Sequence, residues 1–140
     1  MKMTRMDGEW VDTCEVAAGN IDNDPDLTTT FVTDVEIVTQ GVDEVRVMID
    51  SYTLDTETAL RVYPQFSDDG SKWTYPHYQA GTPWYFEVNA STKVDAEFLV
   101  PFVRGPLMRL RIGSEGTAGN GAIKCATMRQ QDRDVTDGLS

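Results

Sequence analysis

The chain has few of the residues from which metal and redox centres are built. It contains one histidine, His77, and two cysteines, Cys14 and Cys125, which lie near opposite ends of its 140 residues. A single histidine excludes centres with several imidazole ligands, and distant cysteines exclude CxxC redox and zinc motifs. A serine triad would have to include His77, yet the chain has no Gly-x-Ser-x-Gly motif. We therefore expect a protein that is not an enzyme and that needs no cofactor.

Long apolar stretches are also missing. No run approaches the length that spans a membrane, and no window of about 11 or more residues has the apolar stripe of an amphipathic helix. The start, MKMTRMDGEW, lacks the apolar segment of a signal peptide. These absences predict little helix, no membrane partner and no export by a cleaved leader.

Basic residues are scarce relative to acidic ones, and the formal net charge is −11. The imbalance lies in residues 1–70, which hold 16 acidic and 4 basic residues, whereas residues 71–140 hold 7 and 8. An acidic chain repels phosphate backbones and anionic lipids, so neither nucleic acid nor a membrane is an expected partner. The same charge also serves simply to keep a protein soluble.

What the sequence does contain is a series of short runs in which apolar and polar residues alternate, the pattern of half-buried antiparallel strands. The runs are Glu9–Val16, Phe31–Val38, Val45–Ser51, Leu60–Ser67, Trp84–Val88, Val94–Val103, Leu107–Ile112 and Ala122–Arg129. Eight short strands separated by turn-rich loops predict an all-β, two-sheet antiparallel β-sandwich with a jelly-roll-like arrangement.

The predicted sandwich occupies residues 9–129. Residues 1–8 are predicted to form a short N-terminal arm, and residues 130–140, which are polar, a C-terminal tail. Cys14 and Cys125 lie on the first and last predicted strands, where a disulfide is geometrically conceivable. We expect two buried, reduced thiols, because disulfides are rare in proteins that lack an export signal.

Two glycine-containing segments are predicted to connect strands. Within Leu60–Trp73, reading LRVYPQFSDDGSKW, Asp69-Gly70 follows an alternating run, which is typical of a two-residue type I′ hairpin with positive φ at both central positions. The segment Gly113–Gly121 resembles a phosphate-binding loop in composition, but a strand follows it instead of a helix and Glu115 would repel phosphate. We predict a flexible connection there.

Three carboxylates at alternate positions, Asp22, Asp24 and Asp26, have a spacing that would allow them to converge on one Ca²⁺ ion. The surrounding sequence does not match an EF-hand loop, and Asp, Asn and Pro are also the residues that ordinary loops use. A simple loop is the favoured interpretation, and a calcium site is the alternative.

Aromatic residues cluster after the predicted hairpin, including Trp73, Tyr75 and Trp84. If exposed beside Asp68 and Asp69, such rings would stack on sugar rings while the carboxylates bind hydroxyl groups. The favoured alternative is that the rings cap one end of the sandwich or lie in an interface.

Arg109 and Arg111 share the outward face of one predicted strand. They are expected either to pair with carboxylates on neighbouring strands or to dock an acidic partner.

Two segments resemble parts of discoidin-type, galactose-binding-like domains. Gln65–Trp73 resembles their Ser-x-Asp-Gly-x-x-Trp hairpin, and Pro101–Ile112 is similar to the strand pair that closes those sandwiches. This resemblance implies a carbohydrate-binding module as one possible function.

In overall character the chain also resembles the small virion proteins of tailed bacteriophages, which are acidic, leaderless β-sandwiches with an N-terminal arm. That resemblance implies a structural protein of the virion, foremost a head decoration protein that binds the major capsid protein and forms homotrimers, with a tail component as an alternative. Lys2 and Arg5 of the arm would then contact the capsid.

Overall fold

A computed structural model describes residues 3–4, 10–16, 21–23, 36–79, 82–100 and 103–134. Over these ranges the regular structure consists of strands, and no helix long and apolar enough to cross a membrane is found among them. The strands are β1 (Met3–Thr4), β2 (Val11–Val16), β3 (Asp22–Asn23), β4 (Ile37–Val38), β5 (Glu44–Thr53), β6 (Glu57–Ser67), β7 (His77–Gln79), β8 (Thr82–Pro83), β9 (Phe86–Asn89), β10 (Glu97–Val100), β11 (Leu107–Gly116) and β12 (Ala122–Asp134).

The long strands form two sheets. In the first, called the β12 sheet, β12 lies between β2 and β5, and β10 forms the far edge; β1 also pairs with β12, beyond β2. In the second, called the β11 sheet, β11 lies between the edge pieces β3 and β4 and the strand β6, and β9 forms the far edge. Each sheet is therefore four strands wide. Among the described strands, β7 and β8 pair only with each other.

The strand pairing is nested along the chain. β2 pairs with β12, β4 with β11, β5 with β10, and β6 with β9, all antiparallel. A chain that pairs with itself in this nested order, and is divided between two sheets, has the topology of a jelly roll. The predicted all-β, two-sheet sandwich is confirmed. The two-residue strand β3, which pairs with β11 in parallel, departs from the antiparallel pattern.

The core lies between the sheets and follows the predicted alternation. In β5, Val45, Val47 and Ile49 are fully buried, whereas Arg46 and Met48 point outward and are partly exposed. Strand β6 contributes Leu60, Val62 and Phe66 to the same core. Unlike β5, β6 is buried on its outward face as well, because a further layer of the chain covers it.

Several element boundaries differ from the sequence prediction, and three of the differences concern the predicted arm, the predicted tail and the glycine-rich connection. Strand β12 continues through residues 130–134, which were predicted to belong to the tail, and β11 continues to Gly116. Two residues of the predicted arm, Met3–Thr4, pair with the end of β12. The polar side chains in these segments led to the prediction of a tail and a loop. They are compatible with a strand, because the hydrogen bonds between strands are made by the backbone. Residues 1–2, 5–9 and 135–140 lie outside the described residues.

Candidate functional site

The connection between β6 and β9 places aromatic residues on the outer face of the β11 sheet. Tyr63 points outward from β6, yet it is almost completely buried, because its ring contacts Tyr75 at 6.1 Å and Tyr85 at 5.4 Å between centroids. The rings of Trp73, Tyr75 and Tyr85 form what we call the aromatic layer. The candidates Trp73 and Tyr75 therefore lie on a sheet face, and for these two the expectation that they cap the end of the sandwich is wrong.

Arginines of the sheet hold the aromatic layer in place. The Arg109 guanidinium lies 4.0 Å from the centre of the Trp73 ring, and its Nε donates to Gln65 Oε1 at 3.0 Å. Arg61 stacks on Tyr85 at 4.5 Å and forms an ion pair with Glu115 at 3.1 Å. Cation–π contacts of this kind stabilise by about 0.5–2 kcal/mol each, more when they are shielded from water.

Arg111 lies between these contacts on β11 and is only 2% exposed. That burial leaves it no surface on which to dock an acidic partner, so the docking interpretation does not hold for Arg111. Arg109 is partly exposed, but its guanidinium is already engaged with Trp73 and Gln65. The two arginines serve the packing of the sheet face.

Trp84 is separated from the other aromatic candidates. Its ring packs edge-to-face on Phe86 at 5.8 Å and against the hydrophobic core. The structure therefore does not bring Trp84 together with Trp73 and Tyr75 in one binding surface.

The loop after β6 is wider than predicted. Phe66 pairs with Thr74 through two backbone hydrogen bonds of 3.0 Å, so the loop spans residues 67–73. Among its residues only Gly70 has a positive φ, of 80°. The predicted two-residue type I′ turn at Asp69-Gly70 is therefore wrong, because Asp69 keeps an ordinary φ and uses its side chain to shape the loop.

Two side chains organise this loop by accepting backbone hydrogen bonds. Ser67 Oγ accepts from Gly70 N at 2.8 Å, and Asp69 Oδ1 accepts from Ser71 N at 2.8 Å and Lys72 N at 3.0 Å. The bonds from Lys72 and Ser71 lower the pKa of the Asp69 carboxyl group. Asp69 is therefore occupied within the loop, although the sequence proposed it as a sugar contact.

An open cleft of about 340 Å³ lies beside this loop. Its walls are Phe66, Ser67, Asp68, Asp69, Lys72, Thr74 and Arg104. Asp68, Lys72 and Arg104 are exposed, and Gly105 lets the backbones approach, since a Cβ there would lie 3.1 Å from Ser67 O. The cleft offers charged and hydroxyl groups for a small polar ligand. The only aromatic residue in its wall, Phe66, is buried and provides no stacking surface.

The glycine-rich connection between β11 and β12 also binds a carboxylate, and the carboxylate belongs to the protein. Glu57 is 5% exposed and accepts backbone hydrogen bonds from Asp55 at 2.8 Å, Gly119 at 2.8 Å and Gly121 at 3.0 Å. Asp55 Oδ2 likewise accepts from Asn120 N at 3.0 Å. Residues 117–121 are therefore held against the start of β6, and the expectation of a flexible connection is wrong.

The Glu57 carboxylate experiences two opposing effects. Burial raises its pKa, and the backbone N–H donors of Gly119, Asp55 and Gly121 lower it; the donors prevail, and the pKa lies below its ordinary value. The glycines are required for this geometry, because a Cβ at Gly121 would lie 2.6 Å from Glu57 Oε2. The signal in the sequence was the pair of acidic residues at 55 and 57 together with Gly119-x-Gly121.

Exposed aliphatic residues mark the edges of both sheets. Val11 lies on β2, Val38 on β4 and Leu99 on β10, and Val94 lies in the turn before β10. Strand β10 is fixed on β5 by backbone pairing and by a two-pronged ion pair from Arg46 to Glu97, at 2.6 and 2.7 Å. The sequence did not indicate these residues, since alternation does not tell which strands are edges.

Several candidates cannot be placed. Asp24, Asp26, Lys2 and Arg5 lie outside the described residues, and for Asp22 only the backbone in β3 is described. Over the described ranges, no three His, Cys, Asp or Glu side chains converge on a possible metal site. The calcium site and the arm contacts stay predictions.

Comparison with known proteins found no matching family model, no matching curated protein and no matching solved structure.

Proposed function

We propose that this chain is a non-enzymatic structural protein of a tailed-phage virion, a decoration protein that binds the outer surface of the head. The observation that carries the proposal is the position of its exposed aliphatic side chains. Three of the four large exposed aliphatic residues among those described lie on edge strands: Val11, Val38 and Leu99. The virion assignment itself rests on the resemblance in sequence character.

Edge strands of monomeric proteins are usually protected by Lys, Pro, bulges or a covering segment, because an open edge invites another strand. In this protein Leu99 is 52% exposed on β10 and Val38 is 49% exposed on β4. Exposed aliphatic groups next to a strand edge with which no described strand pairs favour contact with another protein over contact with a small molecule. The partners proposed are the major capsid protein and further copies of this chain.

The mechanism follows from having many such contacts on one shell. Each subunit would bind where capsid subunits meet, and a homotrimer would match the local threefold axes of a capsid. Individually weak contacts made together stiffen the shell through multivalency. A net charge of −11 suits the outside of the shell, because packaged DNA would repel it from the inside.

Co-sedimentation with capsids tests the proposal. Capsids assembled from the major capsid protein encoded nearest to the gene of this chain are mixed with purified protein and pelleted. We expect the wild type to pellet and Leu99→Glu to bind about tenfold more weakly or less, because the variant buries a charge in the contact. Ser91→Glu adds the same charge in an exposed turn at the opposite end of the sandwich and serves as the matched control.

Wild-type protein that remains in the supernatant at micromolar concentration contradicts the decoration function. Equal binding of Leu99→Glu and Ser91→Glu contradicts the role of the β10 edge alone.

The cleft beside the Ser67–Trp73 loop supports a second candidate, a carbohydrate-binding module. Asp68 and Arg104 are both exposed at the cleft and would bind hydroxyl groups. A glycan-binding screen distinguishes the two functions: a specific glycan whose binding is lost in Asp68→Ala, together with no capsid binding, favours the module. The absence of an exposed aromatic ring in the cleft makes it the weaker candidate.

A further inference from the structure

Cys14 and Cys125 are direct neighbours across the pairing of β2 with β12. Their register is one-to-one, both side chains point into the core, and they are 3% and 0% exposed. Both are free thiols, and they are hydrogen-bonded to each other. The two cysteines near the ends of the sequence therefore form one buried dithiol.

The position meets the geometric requirement for a disulfide. Directly opposed residues of an antiparallel pair have Cα atoms about 4.5–5.5 Å apart, and disulfides form at Cα separations of about 4.4–6.8 Å.

Two β-bulges surround the dithiol. The register with β2 shifts between Cys125 and Ala126, and the register with β5 shifts between Lys124 and Cys125. A bulge interrupts the ladder locally, so the backbone beside Cys125 is less constrained than in a regular strand.

We propose that Cys14 and Cys125 form an oxidation site at which a small-molecule disulfide converts the dithiol into a cross-strand disulfide within the folded protein. The bond joins the first and last long strands of the jelly roll. It does not depend on the decoration function.

The reaction is two successive thiol–disulfide exchanges, with glutathione disulfide as the oxidant. The Cys14 thiolate attacks one sulfur of glutathione disulfide, a mixed disulfide forms, and one glutathione leaves and takes up the proton lost by Cys14. The Cys125 thiolate then attacks the Cys14 sulfur and releases the second glutathione, which takes up the second proton. Two protein thiols are oxidised and one glutathione disulfide is reduced to two thiols.

Cys14 is the residue that reacts first, because β2 pairs only with β12 among the described strands and can open at the edge of the sheet. Cys125 lies on a strand that is paired on both sides. The hydrogen bond to Cys14, followed by burial, raises the pKa of Cys125 well above its ordinary value. Once Cys14 is in the mixed disulfide, its hydrogen bond to Cys125 is gone and burial is the main effect that still disfavours the Cys125 thiolate, so the second exchange is expected to accelerate as the pH rises.

The bond would close a loop containing most of the chain, so it removes more entropy from the unfolded state than a short loop would. We expect the oxidised protein to melt about 10 °C or more above the reduced protein.

The test uses the purified full chain. The reduced protein is incubated without denaturant in glutathione disulfide at pH 7 and pH 8.5, and free thiols are then counted after unfolding in acid. We expect both thiols to disappear in a monomer, faster at pH 8.5, with a peptide map that links the Cys14 and Cys125 peptides. The Cys14→Ala and Cys125→Ala variants control for glutathione addition, since each can form only the mixed disulfide.

Three results contradict the proposal: both thiols remain free after prolonged oxidation, the linkage forms only in denaturant, or the thiols link different chains on a non-reducing gel. An oxidised wild type that melts no higher than the reduced one also contradicts it, because the bond would then not fit the native fold. These readouts compare two states of the wild type and hold even if an alanine variant fails to fold.

Discussion

The two loops at the ends of β6 use the same chemistry at different depths. At the start of the strand, Glu57 is buried and accepts hydrogen bonds from Gly119 and Gly121, more than sixty positions away. After the strand, Asp69 is exposed and accepts from Ser71 and Lys72, its near neighbours. The distant pairing holds two parts of the fold together, whereas the local pairing shapes one loop. The hydrogen bonds of Glu57 and Asp69 are similar in length, but those of Glu57 should contribute more to the free energy of unfolding.

The largest expected effect comes from removing the buried carboxylate. Glu57→Ala leaves the buried N–H of Gly121 and those of Gly119 and Asp55 without their acceptor, and unpaired donors of this kind cost about 1–3 kcal/mol each. We expect a loss of about 3 kcal/mol in the free energy of unfolding, measured by urea denaturation. Thr58→Ala, an exposed neighbour, is the control. A loss below about 1 kcal/mol would show that the carboxylate does not hold the connection.

Filling the space of the glycine should have a somewhat smaller effect. In Gly121→Ala the new methyl group would lie 2.6 Å from Glu57 Oε2, so the carboxylate or the loop must move. We expect a loss of about 2 kcal/mol, as for other overpacked sites, read from the same urea titration.

Gly70→Ala gives the matching measurement in the exposed loop. Its Cβ would meet Leu107 Cδ1 at an ordinary 3.4 Å, and only the positive φ is unfavourable, at about 1 kcal/mol. A larger loss for Gly70→Ala than for Gly121→Ala would reverse the comparison.

The pH dependence of stability should differ between the wild type, which has a buried carboxylate at Glu57, and the Glu57→Gln variant, which has an amide that does not titrate. The pKa of Glu57 is lower in the folded protein than in the unfolded chain, so the unfolded chain binds protons more readily. The contribution of Glu57 is then complete above the unfolded pKa of about 4.3 and is lost as the pH falls through the folded pKa. We expect the stability difference between wild type and Glu57→Gln to shrink between about pH 5 and pH 3, measured by thermal melting. A constant difference would contradict the pKa shift.

The smallest effect is expected at Asp69. Asp69→Ala removes the acceptor for Ser71 and Lys72, but water replaces it because the carboxylate is exposed. The stability loss should be well below that of Glu57→Ala, with hydrogen exchange accelerated only at the amides of the loop. Asp69→Asn keeps an acceptor oxygen at the same place and should restore their protection. Global destabilisation in Asp69→Ala would show that the loop is coupled to the core.

The sequence revealed the parts of the fold that depend on local pattern. Alternation in Val45–Ser51 or Leu107–Ile112 is a property of neighbouring residues, so each of the eight runs corresponds to a strand that the structure contains. The contacts of the site join residues that are far apart. Nothing near Tyr63 indicates that Tyr75 and Tyr85 will cover its ring. The acidic pair at 55 and 57 and the spacing of Gly119 and Gly121 are visible in the sequence, but nothing local indicates that they meet.

The misjudged hairpin has a different cause. Asp69-Gly70 has the composition of a tight turn, but Asp can also shape a wider loop by accepting backbone hydrogen bonds with its side chain. The alternation before it ends at Ser67, whose hydroxyl group accepts from the amides of Asp69 and Gly70 and so adds to the wider loop. Local propensity is compatible with a tight two-residue turn and with the wider loop. Only the wider loop is seen, and in it the Trp73 ring stacks against the Arg109 guanidinium.

The place of β12 in its sheet also determines when the protein can fold. β12 lies between β2 and β5, so the sheet has no middle strand until residues 122–134 have left the ribosome. Until then the backbone edges of β2 and β5 that face β12 have no partner strand, and they are open to pairing with other chains. Folding dominated by such distant pairings is slow, on the scale of milliseconds to seconds. Fragments that end before Ala122 are therefore expected to aggregate during synthesis, and chaperones that shield β-rich nascent chains should increase the yield of the full chain.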